Sequence, residues 1–328
     1  MLCIMRNIKF HDNFFEVLDQ RKLPKIIEYE RISHIGDGYN AIKNMVVRGA
    51  PFIAIVGLFS IAYDMKLDPT QDIVNLVEKI VSARPTAVNI RIACDKLMST
   101  GENPMIFAQN YYEHDIIKNK RITENIMPEL NKIFAIKGKL NILTHCNTGS
   151  LATAGWGTAL GVVRGLLQKD MLQCCYFTET RPWNQGSRLT AVECIEDCIP
   201  HTMISDTAVS TIMDIVDCVI VGADRVLKDG SVANKIGTNN IAIIANYYNK
   251  PFYVAADSDT FSSTNDITIE DRSREGFDNI PDGVIIVNPA FDLTHKRLIS
   301  GYVNENKFIT NKSSLADCQI YGYTPLNI

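Results

Sequence analysis

The segment Asn141-Ile-Leu-Thr-His-Cys-Asn-Thr-Gly-Ser150 runs an apolar, β-prone stretch into the thiol of Cys146 and then into small polar residues. A cysteine at the carboxyl end of a buried strand, beside the N–H groups of a following helix start, can meet a phosphate and is favoured as the thiolate. A second apolar run, Val219-Ile-Val-Gly-Ala-Asp-Arg225, ends in the carboxyl group of Asp224, with Gly222 and Ala223 leaving room for a ligand against the backbone. Asn234-Lys-Ile-Gly-Thr238 then offers a cation in Lys235 and a neutral donor and acceptor in Asn234, just before a helix. Glu179-Thr-Arg-Pro-Trp-Asn-Gln-Gly-Ser-Arg188 supplies Arg181, Gln185 and Arg188, a cluster suited to sugar hydroxyls or phosphate. In Val47-Arg-Gly-Ala-Pro51, Arg48 precedes a helix with proline in its first turn, and Arg84 precedes another. His145 adjoins Cys146, but neighbours on a strand point to opposite faces, so it reads as a packed histidine rather than a nucleophile's partner.

These groups need a scaffold. From about Leu140 onward, apolar β-rich runs recur at Leu140–His145, Met171–Thr178, Thr202–Ser205, Cys218–Gly222, Phe252–Ala256 and Val284–Asn288. Helices are expected between them at Ala152–Gln168, Ser187–Asp197, Ala208–Val216 and Asn239–Tyr248, each near a Ser, Thr or Asn that can cap its start. Alternating strands and helices predict a doubly wound, mostly parallel sheet with its ligand at the carboxyl ends of the strands. Residues 1–127 read as a smaller, mainly helical domain, with helices at Tyr39–Val46, Phe52–Met65, Asp72–Ala83 and Asn89–Thr100 after a hairpin-like opening; residues 128–328 form the α/β domain.

Composition narrows the chemistry. The 328 residues carry 33 Lys and Arg against 37 Asp and Glu, a formal charge of −4, so there is no basic field to gather nucleic acid or anionic lipid. With 46% hydrophobic and 21% charged residues the chain reads as a folded, soluble protein. Its 9 cysteines include no C-x-x-C pair, which points to reduced thiols and no zinc site. The apolar uncharged stretch Gly49 to Tyr63 is too short for a membrane helix, and Met1–Phe15 lacks the apolar core of a signal peptide, so a cytoplasmic location is expected. Gly155, Gly157 and Gly161 miss the dinucleotide fingerprint and fall inside the expected helix rather than before it, which argues against a nicotinamide cofactor.

Taken together, R-G-A-P, S-A-R-P-T-A-V-N, T-H-C-N-T-G, A-T-A-G-W-G-T-A-L-G, E-T-R-P-x-x-Q-G-x-R-L-T, V-G-A-D-R and A-N-K-I-G-T resemble the methylthioribose-1-phosphate isomerases. That superfamily also holds the regulatory subunits of the eukaryotic translation-initiation exchange factor, and the resemblance runs from about Arg48 to Asn288. It implies a Rossmann-like catalytic domain with a small N-terminal domain, a homodimer, and no metal or nucleotide cofactor. It implies an aldose–ketose isomerase of methionine salvage, taking 5-methylthioribose 1-phosphate to 5-methylthioribulose 1-phosphate. By it, Cys146 and Asp224 match the catalytic pair, and Arg48, Gly49, Ala50, Arg84, Gln185, Asn234 and Lys235 match substrate-binding positions. Departures stand at Phe52 and Ala54, at Trp183 and Asn184, and at Glu270–Phe277, so a 5-deoxyribose-1-phosphate isomerase is the alternative substrate reading.

With phosphate on the anomeric oxygen the sugar ring cannot open freely, so an acid must protonate the ring oxygen. Asp224 is the candidate, provided that an apolar strand end raises its pKa and that strand alternation turns Arg225 away. Cations Arg48, Arg84 and Lys235, with N–H groups near Thr148–Ser150, are expected to hold the phosphate. A non-catalytic subunit binding a sugar phosphate or nucleotide is the rival from another class; it needs neither the thiol nor the acid.

Overall fold

A computed structural model describes residues 4–85 and 88–310. Thr86 and Ala87 of the arginine motif, and Met1, Leu2, Cys3 and Cys318, lie outside the described residues. Among those described, the chain opens with an antiparallel sheet of β1 (Ile8–Phe10), β2 (Phe15–Leu18) and β3 (Tyr29–Ile32). Helices α1 (Ile35–Lys43), α2 (Ala50–Leu67), α3 (Ile73–Ser82), α4 (Val88–Thr100) and α5 (Pro104–Lys137) follow. Helix α2 is apolar on all sides because all sides are covered. It has the length and composition to cross a membrane, but 72% of it is buried inside the protein. Helix α5 runs unbroken through residues 127 and 128, where the sequence suggests a domain boundary; Phe107 and Ala108 belong to the first core, and Ile122, Ile126 and Leu130 to the second.

The remaining elements are β4 (Leu140–Thr144), α6 (Ala159–Gln168), β5 (Leu172–Thr178), α7 (Ala191–Glu196), β6 (His201–Ile204), α8 (Val209–Ile212), β7 (Cys218–Val221), β8 (Arg225–Val226), β9 (Val232–Lys235), α9 (Thr238–Tyr247), β10 (Phe252–Ala255), β11 (Phe291–Thr294), β12 (Gly301–Val303) and β13 (Phe308–Thr310). The large sheet has the order β13-β12-β10-β7-β4-β5-β6 and is parallel except where β13 pairs with β12. The chain enters at β4, builds outward through β5 and β6, then returns to the other side of β4 at β7. That reversal leaves a crevice between the carboxyl ends of β4 and β7. A smaller antiparallel sheet, β11-β9-β8, stands beside it.

Two sequence expectations are corrected. Val284–Asn288 is no strand: Ile285 is 87% exposed, and the sheet position belongs to β12, which is buried along its length. Residues 153–158 are not helical either; only a single 3-10 turn, Ser150–Ala152, precedes α6 at Ala159. Gly157 shows why. It adopts φ +91°, and a Cβ there would lie 2.6 Å from the Cα of Gly149, so the segment folds back on itself as a tight loop. Gly157→Ala separates the two conformations by sign. In a helix it would stabilise by up to about 1 kcal/mol. In this loop it should destabilise by about 2 kcal/mol, read from the denaturant midpoint.

Candidate active site

A cavity of about 470 Å³ lies at the crevice, lined by Cys146, Asp224, Arg48, Gly49, Ala50, Arg84, Gln185 and Lys235 among the described residues. Cys146 stands two residues beyond the end of β4. Its backbone is left-handed, φ 64°, as is that of Thr180 at 65°. Such a conformation costs a non-glycine residue energy and persists only when neighbours hold it. Here the Cys146 N–H donates to Thr180 Oγ1 at 3.0 Å, and Thr190 Oγ1 donates to the Cys146 carbonyl at 2.6 Å.

His145, the residue between β4 and Cys146, is absent from the described cavity lining. Its Nε2 donates to the Ile236 carbonyl at 2.8 Å and its Nδ1 meets Thr178 Oγ1 at 2.5 Å. Burial pushes its pKa down to about 4, which keeps it neutral.

Asp224 follows β7. Its side chain is open to the cavity yet ringed by protein, and this enclosure raises its pKa against the pull of Lys235, Arg48 and Arg84. Lys235, at the end of β9, is buried, donates to the Ala290 carbonyl at 2.9 Å and lies 4.4 Å from the Phe291 ring centroid. Burial lowers its pKa, and the charges of Cys146 and Asp224 push back up. One cation therefore serves both groups.

Thr148, Gly149 and Ser150, whose N–H groups are expected to meet the phosphate, are absent from the described cavity lining. Glu193 takes the Ser150 N–H at 2.6 Å and that of Leu151 at 3.3 Å. Asp292 likewise takes the N–H groups of Gly237 and Asn239 at the start of α9, at 2.8 and 3.1 Å. The start of α2, an 18-residue helix with Gly49 at its N-cap, does open on the cavity: Gly49 and Ala50 line the wall beside Arg48 and Arg84, and Val88 and Asn89 at the described start of α4 line it too. The favourable field for an anion thus comes from the helical layer, and the cation beside the thiol is Lys235.

Asn234 alternates away from Ala233 and Lys235 on β9, and its amide donates to Thr238 Oγ1 at 3.0 Å; it is absent from the described lining. Arg225 lines the cavity with Asp224 instead of turning away. Gly222–Asp224 form the turn between two sheets, so alternation does not carry through them. The space over Gly222 is filled by Thr148, whose Cγ2 would lie 2.8 Å from an added Cβ. Arg181 donates to the Gly276 carbonyl, and Arg188 donates to Gln20 and Trp183 carbonyls, both at 3.0 Å, so both tie loops together outside the main cavity.

Sequence reasoning did not assign roles to Trp183, Glu270, Arg272 or Phe291, which also line the cavity. The indole Nε1 of Trp183 and Oε1 of Gln185 are buried without a protein partner among the described residues. Polar groups so placed at a cavity wall suit a hydroxyl-rich ligand. Trp183, Glu270 and Arg272 stand in segments that depart from the family pattern; Phe291 carries no such signal.

A switch-point crevice holding a thiol, an enclosed carboxyl and arginines at a helix start defines an α/β protein equipped for proton transfer on a small anion. The model of the initiation factor 2 subunit family matches residues 46–310, and the chain belongs to that family. It is 42% identical to a methylthioribose-1-phosphate isomerase of Trichoplax adhaerens, covering 88% of this chain and 89% of that one. A solved 5-methylthioribose 1-phosphate isomerase from Pyrococcus horikoshii superposes with a TM-score of 0.82 at 31% identity, covering 93% of this chain and 92% of that one. Translation initiation factor eIF-2B, subunit delta, from A. fulgidus superposes at 0.78 and 35%, covering 94% and 96%.

The raised pKa of Asp224 has a consequence for stability. A carboxyl group whose pKa is higher folded than unfolded favours the folded state at low pH, and this contribution is lost as pH rises from about 4 through the folded value. Asp224→Asn should therefore gain thermal stability over wild type toward pH 8, and the gap should close near pH 4, as measured by melting curves across pH.

Proposed function

We propose that this protein is an aldose–ketose isomerase that converts 5-methylthioribose 1-phosphate into 5-methylthioribulose 1-phosphate in methionine salvage, working as a cytoplasmic homodimer. The observation that carries the reading is the shared cavity of Cys146 and Asp224, one at each side of the switch point, beside Arg48, Arg84 and the start of α2. A subunit that only binds has no use for this pair. The names of the relatives agree with the reaction.

In the proposed reaction, Arg48, Arg84 and the α2 start hold the phosphate and Gln185 a sugar hydroxyl. Asp224, whose pKa its enclosure raises, gives a proton to the ring oxygen as the bond from that oxygen to carbon 1 breaks. The positive charge left at carbon 1 is then met in one of two ways. Cys146 as thiolate removes the proton from carbon 2, giving an enediol that is reprotonated at carbon 1, or hydrogen moves directly from carbon 2 as hydride. In either case the carbon 2 hydroxyl loses its proton and becomes the ketone. Lys235 steadies the anionic states of both side chains.

Following both 5-methylthioribose 1-phosphate and 5-deoxyribose 1-phosphate by NMR should show ketose formation with preference for the thiomethyl sugar. Cys146→Ser and Asp224→Asn should each lose at least about 100-fold. Preference for the deoxy sugar reassigns the substrate, and no turnover of either sinks the isomerase reading. In heavy water, deuterium at product carbon 1 marks the proton route and full retention of a carbon 2 label the hydride route. Sedimentation velocity should give a species of about twice the 36.7 kDa chain; a monomer refutes the dimer.

A further inference from the structure

Behind Cys146, outside the cavity lining, lies a buried ion cluster that the reaction as described does not use. Arg164 is fully buried and pairs with Glu193 at 2.7 Å and with Asp197. Glu193 is equally buried, yet Arg164 and the donors around it hold its carboxyl below the usual carboxylate range. Its Oε2 accepts from the Ser150 N–H at 2.6 Å, Ser150 Oγ at 2.7 Å and Arg164; its Oε1 accepts from Leu151 N–H and from Asn147 Nδ2 at 2.7 Å. The backbone is shaped for this carboxylate: a Cβ on Gly149 would fall 2.2 Å from Oε2.

The bond to Asn147 has a directional consequence. A carboxylate only accepts, so the amide must turn its NH2 toward Glu193 and its oxygen the other way. There Asn147 Oδ1 accepts from Arg48 Nη1 at 2.8 Å, and the Asn147 carbonyl accepts from Nη2 at 3.2 Å. Arg48 lines the cavity. The cluster is thus a line of alternating polarity, from Arg164 through Glu193 and the amide dipole of Asn147 to Arg48.

We propose that Glu193 is a positioning residue: through the side-chain amide of Asn147 it sets the direction in which Arg48 presents its guanidinium to the substrate's phosphate. This rests on the reading of Arg48 as a phosphate-binding residue. Glu193 itself touches no reacting atom.

Glu193→Gln tests it with little change of shape. The glutamine oxygen can keep Ser150 and Arg164, but its NH2 faces the NH2 of Asn147, so that amide turns over and offers N–H groups to Arg48. KM for the sugar phosphate should rise about tenfold, with kcat within about threefold, the loss of one hydrogen bond to a charged group. The double variant Glu193→Gln with Asn147→Asp restores the pattern, since the glutamine N–H donates to one aspartate oxygen and Arg48 donates to the other. Its KM should return to within about threefold of wild type, a non-additivity that general loosening of the fold does not produce. Should Glu193→Gln fail to fold, Asn147→Ala leaves Glu193 its bonds to Ser150 and Arg164 and should show the same rise in KM.

Calorimetric titration with inorganic phosphate reads the same effect without turnover, as a comparable loss of affinity in Asn147→Ala. Unchanged KM and phosphate affinity in the single variants, or a double variant whose KM stays as high as that of Glu193→Gln, overturns the proposal. If wild type turns over neither sugar but binds phosphate, and Asn147→Ala weakens that binding, the isomerase reading fails and the positioning role stands. If wild type neither turns over a sugar phosphate nor binds phosphate, both fall.

Discussion

The parallel pairing of β4 with β7, which sets Ile142 beside Cys218 and Leu143 beside Val219, is the constraint on which the site depends. The two strands are far apart in the chain, and the sheet has already extended through β5 and β6 before β7 returns to flank β4. Connections leaving their carboxyl ends diverge, so the crevice between them cannot be closed by either. Cys146 and Asp224 stand at the first turns beyond these strands and share the crevice for that reason. Lys235 reaches it from a separate antiparallel sheet, whose strand β9 pairs with β8 directly after the Asp224 turn.

Enclosure does the electrostatic work. Arg48, Arg84 and Lys235 all pull the Asp224 pKa down, and the protein around the carboxyl still raises it. A carboxyl group whose pKa is raised thus stands among cations that pull it down, two opposed tendencies set by the walls of an open cavity. The loop after β4 gives the N–H groups of Ser150 and Leu151 to Glu193, while the start of α2 lines the cavity. A segment that reads as a phosphate cradle is instead a rigid backing for Cys146, held to Arg164 through buried charge.

The difference between legible and hidden features follows from the range of the interactions. Strands β4, β7 and β10 are short apolar runs whose burial on both faces demands that composition, so they are visible locally. The exposed run at Val284–Asn288 has the same composition and no sheet to join, which local pattern cannot report. Gly155 and Gly157 read as small residues of a helix because their neighbours form helices; the left-handed turn at Gly157 is imposed by the approach of Gly149. Arg225 was misplaced because alternation holds only within one strand, and the chain changes sheets at Asp224.

The sequence by itself determined the alternating α/β layers, the thiol and the carboxyl at strand ends, and the motifs that mark the family, since each resides in a few consecutive residues. Tertiary structure decided which of those groups meet: that α2 rather than the turn at Ser150 faces the ligand, that Asn234 turns to Thr238, and that Glu193 reaches Arg48 through Asn147. Those choices depend on contacts between residues tens of positions apart, whose geometry is fixed only when the helices and both sheets pack together.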